Sequence, residues 1–229
     1  TISVVIESKT MHSDKDEKKE SAEAAQKVSW LKLLTFRQTW SFFVGKFLTD
    51  PVWWFYLFWF PLFMNDRFGV DLRTIGLPMI VVYVLADFGS VGGGWLSSAL
   101  MKRNWTVNAA RKTAMLVCAI LILPVAIAPH VTGQWVAVIL IGIAAAAHQG
   151  FSANIFTTSS DMFPRKAVGS VVGIGGFAGA IGGFFMNLGA GWLKQNTGSY
   201  EIMFAIAGVV YLIALLIMHL LVPKLEPAI

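Results

Sequence analysis

Lys46 and Asp50 stand four residues apart inside an otherwise apolar stretch, a spacing that places both on one helix face. A charge at that depth costs roughly 2.5–3.5 kcal/mol to insert into hydrocarbon, so each needs a partner, a cavity or water. Two readings follow. One is a mutual structural ion pair, with Lys46 snorkelling toward the surface. The other is a pair lining a pathway, where an anion competes for Lys46. In another apolar run, His148, Gln149, Ser152 and Asn154 make the most polar stretch of the chain at depth. Such groups donate and accept hydrogen bonds. The cluster therefore reads as the wall of a polar substrate site or as interhelical glue. Tyr56 lies in the aromatic run 53–59 and joins a stacking face to a hydroxyl. Asp87 follows Tyr83 by four residues. A desolvated carboxylate there can titrate, so its role is ion coupling or, with several glycines nearby, structural pairing.

No reaction chemistry emerges. HExxH, GxSxG and P-loop patterns are missing from the sequence, and no serine lies near a candidate base. The chain is expected not to be an enzyme, and neither a cofactor nor a metal is expected. Gly173-Ile174-Gly175-Gly176-Phe177-Ala178 superficially resembles a dinucleotide fingerprint, but no strand precedes it and it lies in an apolar span. The single cysteine, Cys118, excludes a disulfide framework and a multi-cysteine metal site.

The elements that position these residues are apolar spans at 40–63, 75–100, 113–129, 135–156, 168–192 and 202–222. Each is near the ~20 residues a helix needs to cross ~30 Å of hydrocarbon. Barrel strands would be about half as long with period-two alternation, which is not seen. The pattern predicts an all-α membrane protein of six transmembrane helices over 35–223. A polar linker at 1–34, carrying the mixed-charge run 14–20, precedes it, and a short tail at 224–229 follows. Pro51 removes a backbone donor and disfavours helix at Asp50, which predicts a kink or break near the middle of the first span. Gly175, Gly179 and Gly183 repeat at spacing four and predict a ridge for close helix packing.

Composition agrees. Of 229 residues, 56% are hydrophobic and 14% charged, well below the quarter that soluble domains carry. So few charges cannot cover the surface of a soluble chain of this length. The net charge of +5 sits in short segments between apolar spans rather than in a basic stripe, which argues against nucleic acid. Lys102, Arg103, Arg111, Lys112, Arg165, Lys166 and Lys224 fall in every second connection. The intervening loops hold little excess positive charge. The positive-inside rule then puts both ends of the chain in the cytoplasm.

The chain resembles helices seven to twelve of the major facilitator superfamily, and within it the anion:cation symporters of the bacterial hexuronate type. The likeness rests on the stretch 45–56 with Phe58-Trp59-Phe60-Pro61, on Ala86-Asp87-Phe88-Gly89 before Gly93-Gly94-Trp95-Leu96, and on His148-Gln149-Gly150 through Asn154 to Asp161-Met162-Phe163-Pro164. It covers roughly 29–223. It implies a C-terminal half-bundle that works with an N-terminal six-helix half in a bacterial inner membrane. It also implies proton-coupled uptake of a sugar acid by alternating access. The main acidic and arginine groups of the family belong to the other half. Ser97 and Ser98 stand where related loops often carry an acidic gate residue. Expected partners are a small organic anion, protons and the lipid bilayer. The start at Thr1 suggests a truncated chain. The competing readings are a six-helix unit that dimerises and a membrane scaffold subunit.

Overall fold

The structure, a computed structural model, describes residues 29–71 and 73–228. Every regular element among them is helical. The expected linker lies mostly outside the described residues. Its last part forms a single helical turn, α1 (Trp30–Leu33), with Leu33 buried and Trp30 against Gly173.

Six long helical elements follow: α2 (Arg37–Phe68), α3 (Gly76–Lys102), α4 (Val107–Ile122), α5 (Gln134–Met162), α6 (Arg165–Thr197) and α7 (Glu201–Leu221). α4 continues as a 3₁₀ helix over Leu123–His130, where Pro124 lacks the N–H that an α-helical bond to Ile120 requires. Leu123 closes an i−3 bond to the Ile120 carbonyl instead. Thr106 caps α4 by accepting from the Ala109 N–H. Gly69 and Gly198 end α2 and α6 with left-handed φ of 68° and 67°.

Five of these elements, α3 through α7 with the 3₁₀ extension counted in α4, are long and apolar enough to cross a membrane. α2 is the sixth long helix. Its apolar run is diluted by Lys46, Asp50, two prolines and several tryptophans, which lower its hydropathy without shortening it.

The expected break at Asp50-Pro51 does not occur. α2 is helical through both Pro51 and Pro61. Proline is tolerated inside membrane helices where neighbours compensate for the lost bond. Here Gly182 of α6 sits so close to the Phe47 carbonyl, the group Pro51 leaves without its i+4 donor, that a Cβ would collide with it.

α5 is central, with 61% of its apolar window buried, against 17% for α3. α3 packs on α5, where Gly89 meets Ala146 and Gly93 meets Gly150 backbone to backbone. α6 packs on α2 through the glycine ridge: Gly175 meets Phe42, Gly179 meets Asp50 and Gly183 meets Trp54. α4 and α7 close the back of the bundle. Phe55, Phe63 and Phe204 form an aromatic core, with centroids 5.2 Å apart for Phe55–Phe204 and 4.9 Å for Phe63–Phe204. The contacts leave α3 and α6 on opposite flanks, both rich in exposed apolar side chains such as Phe88, Trp95, Phe177 and Phe184.

Candidate functional site

The i,i+4 spacing of Lys46 and Asp50 becomes an ion pair of 2.8 Å. Lys46 is buried at 4% exposure, with its ammonium 4.0 Å from the Phe156 ring centroid. Asp50 is pressed against Gly179 of α6, and its side chain keeps 19% of its surface. The pair therefore lies in the seam between α2, α5 and α6. A cation held by both a carboxylate and an aromatic face is well compensated for its lost hydration.

About one turn beyond Asp50 on α2, Trp53 stacks on His148 of α5, with centroids 5.4 Å apart and planes at 12°. His148 Nδ1 meets the Tyr211 hydroxyl of α7 at 2.6 Å, and that hydroxyl reaches the Thr49 carbonyl of α2 at 3.2 Å. A phenol has one proton. Both contacts hold together when Nδ1–H donates to Tyr211 and Tyr211 donates to Thr49. The chain fixes the imidazole orientation and joins three helices. The sequence located His148 but not Tyr211, which lies 63 residues away.

Asn154, Tyr56 and Asp87 separate from this group. Asn154 is fully buried and turned toward α3, where Nδ2 donates to the carbonyls of Gly93 and Gly150, both at 2.9 Å. Its Oδ1 is enclosed without a partner among the described residues. The geometry is that of a tie across the close α3–α5 crossing, with the amide donating to backbone carbonyls and not to Lys46 or Asp50. The Tyr56 hydroxyl, expected to be wet, is enclosed, unpartnered among the described residues and 5% exposed as a residue. Ser152 is buried, Gln149 half-buried beside His148, and Asp87 exposed on α3 one turn beyond Tyr83.

The match to known proteins decides the family. The model of the Major Facilitator Superfamily matches residues 4–186 and 105–229. The chain belongs to the major facilitator superfamily. It is 31% identical over 195 residues to the hexuronate transporter of Escherichia coli (strain K12), covering 84% of this chain and 45% of that protein. It is 26% identical over 181 residues to the D-galactonate transporter of Escherichia coli O6:H1, covering 79% and 42%. It is 24% identical over 187 residues to the probable galactarate/D-glucarate transporter of Bacillus subtilis (strain 168), covering 81% and 41%. The chain thus spans less than half the length of these relatives. It is a multi-pass membrane protein of a transporter family, not an enzyme.

The chain also carries two polar ties at the helix ends that the sequence did not reveal. At one end Arg111 of α4 pairs with Asp161 of α5 at 3.1 Å and donates to Ser97 of α3 at 2.9 Å. Ser97, expected at a degenerate gate position, thus serves as an acceptor. Beside it, Lys112 donates to the Val222 and Pro223 carbonyls, both at 2.7 Å, and Ala228 N–H donates to the Met162 carbonyl. At the other end Lys194 pairs with Asp66 at 2.8 Å, and the Tyr200 hydroxyl donates to the same carboxylate at 2.8 Å. Partial burial, then the adjacent Asp66, push the Tyr200 hydroxyl well above its ordinary pKa, so it stays a donor. A third feature is a groove of about 590 Å³ between α2 and α6, lined by Trp54, Phe58 and Phe184, with Asn187 as its amide. All of these join residues far apart in the chain, and no local spacing signals them.

Proposed function

We infer that this chain is the C-terminal half of a secondary transporter that takes up a hexuronate or related sugar acid, coupled to protons, by alternating access. The observation that carries the reading is the likeness over 84% of the chain to a hexuronate transporter, alongside relatives named for galactonate and galactarate. The buried Lys46–Asp50 pair and the His148–Tyr211 link give the half polar groups at membrane depth. Such groups in membrane helices mark transport pathways. The half works against an N-terminal six-helix half, with residues 35–223 as its bundle. The positive connections around 102–112 and 165–166 support an orientation with both ends in the cytoplasm, and the bacterial relatives support an inner-membrane location. Lys46, Asp50, His148 and Gln149 are the proposed polar wall, with Asp87 on the flank.

The test is uptake of labelled galacturonate and glucuronate by a strain without its own carrier, expressing the full-length protein that contains this chain. Saturable uptake that a protonophore abolishes is expected. Uptake of neither acid contradicts the substrate, and uptake indifferent to the protonophore contradicts the coupling.

A further inference from the structure

Beyond α7, the segment 222–228 crosses the ends of α4 and α5 and is bonded to both. Leu225 N–H donates to Asn108 Oδ1 of α4 at 3.2 Å, and Ala228 N–H donates at 2.9 Å to the carbonyl of Met162, the last residue of α5. Val222 is buried, and Leu225 and Ala228 pack against the core. Lys112 of α4 staples the start of this segment. Its ammonium meets the Val222 and Pro223 carbonyls at 2.7 Å each and Nδ1 of His219, in the last turn of α7, at 3.1 Å. We propose that 222–228 is a latch over the ends of α4 and α5, closed while His219 is neutral and opened when His219 takes up a proton.

Hydrogen counting carries the inference. An ammonium has three N–H donors. Two go to carbonyls, which only accept, so the third is left for His219, and Nδ1 must offer its lone pair. The imidazole is then the neutral ring with its proton on Nε2. The reverse sharing would leave the proton on imidazole, the weaker base of the two side-chain types. A second proton fills Nδ1, turns the acceptor into a donor and sets two cations 3.1 Å apart. The closed latch and the protonated ring exclude each other. The open form binds a proton that the closed form cannot, so falling pH favours opening, in the range where histidine changes charge.

No neighbour removes this conflict. Of the elements packed on α7, α4 brings Lys112, while Arg111 beside it is engaged by Asp161 and Ser97. α2 reaches this end through Ser41, which donates to the Met218 carbonyl, and its charged residue there, Arg37, is exposed and a further cation. The 3₁₀ stretch carries His130, which lies by Glu201 at the opposite end of α7. The latch itself contributes Lys224 and Glu226, both exposed, and among the described residues no carboxylate pairs with His219. In the orientation proposed above, the latch faces the cytoplasm and reads its acidity. Its chemistry does not depend on the substrate.

The experiment follows maleimide labelling of the purified full-length protein in micelles across pH. One sample carries Ala228→Cys in the latch, and the other carries Asn104→Cys at an exposed loop residue outside it. The readout is the first labelling rate divided by the second, which cancels the ordinary response of a thiol to pH. With His219 in place, the ratio is expected to rise about tenfold from about pH 8 to about pH 5.5, the size of one lost hydrogen bond to a charged group. His219→Gln keeps a neutral acceptor for Lys112 and should hold the ratio low throughout. Lys112→Met removes the staple and should hold it high throughout. If the methionine variant does not fold, the glutamine variant, at an exposed position, decides alone. A ratio that does not change with pH, or one that rises equally with His219→Gln in place, overturns the proposal. Neither result depends on the uptake of any sugar acid.

Discussion

Removing one charge of the Lys46–Asp50 pair is expected to damage the protein far more than removing both. In Asp50→Asn, the Lys46 ammonium remains with 5% of its side chain accessible and loses its 2.8 Å partner. Phe156, at 4.0 Å, compensates in part. Stranding a buried charge costs about 3–5 kcal/mol, and the aromatic face returns about 1 kcal/mol. The expected loss is therefore about 2–4 kcal/mol. Lys46→Met should cost less, because the Asp50 side chain keeps 19% accessibility and can be hydrated or take up a proton. The double variant Lys46→Met/Asp50→Leu removes the stranded charge and should recover most of the stability, since apolar replacements of buried ion pairs are often neutral. SDS-driven unfolding in mixed micelles, run as a double-mutant cycle, gives the stabilities, and sugar-acid uptake is measured on the same four proteins. A stable but transport-dead double variant assigns the pair to the pathway. An Asp50→Asn variant as stable as wild type would refute the reasoning, because it would mean that Lys46 is solvated.

Three other outcomes are expected. Gly179→Leu should lower the yield of folded protein without changing which acid is preferred, since any Cβ there meets the Asp50 carboxylate; size-exclusion profiles of a fluorescent fusion report it. Asn154→Ala should lose about 0.5–1.5 kcal/mol of stability by cutting the tie between α5 and α3, with KM for the sugar acid unchanged; a raised KM at normal stability would return Asn154 to the binding wall. Cysteines at Asn104 and Lys166 should be labelled only from the cytoplasm and one at Gly133 only from outside, and the reverse pattern would invert the orientation.

The helices were legible because each apolar span nears the length that a bilayer demands, and the bundle adds only polar ends to them. α2 extends to Arg37 and Phe68, for instance, where the apolar run stops near 40 and 63. Lys46–Asp50 and the Gly175–Gly179–Gly183 ridge were legible because helix periodicity alone sets their faces. The unbroken course of α2 was not. Local propensity at Asp50-Pro51 opposes it, and the neighbour that closes on the Phe47 carbonyl there, Gly182, lies far away in the chain. Tyr211, Arg111, Asp161 and Lys194 were invisible as partners for the same reason: their contacts depend on which helices become neighbours. Within the aromatic run every face is aromatic, so the sequence pointed to Tyr56, and only the packing shows that Tyr56 turns inward while Trp53 stays half-buried.

The central claim is that this half belongs to a proton-coupled sugar-acid carrier, and its most direct test is transport in a defined bilayer. The full-length protein is reconstituted into proteoliposomes, and internal galacturonate is followed after an inward proton gradient is imposed. Accumulation above the external concentration, which collapses when the gradient is dissipated, is the expected result. Galacturonate that merely equilibrates, or does not enter, would contradict the account.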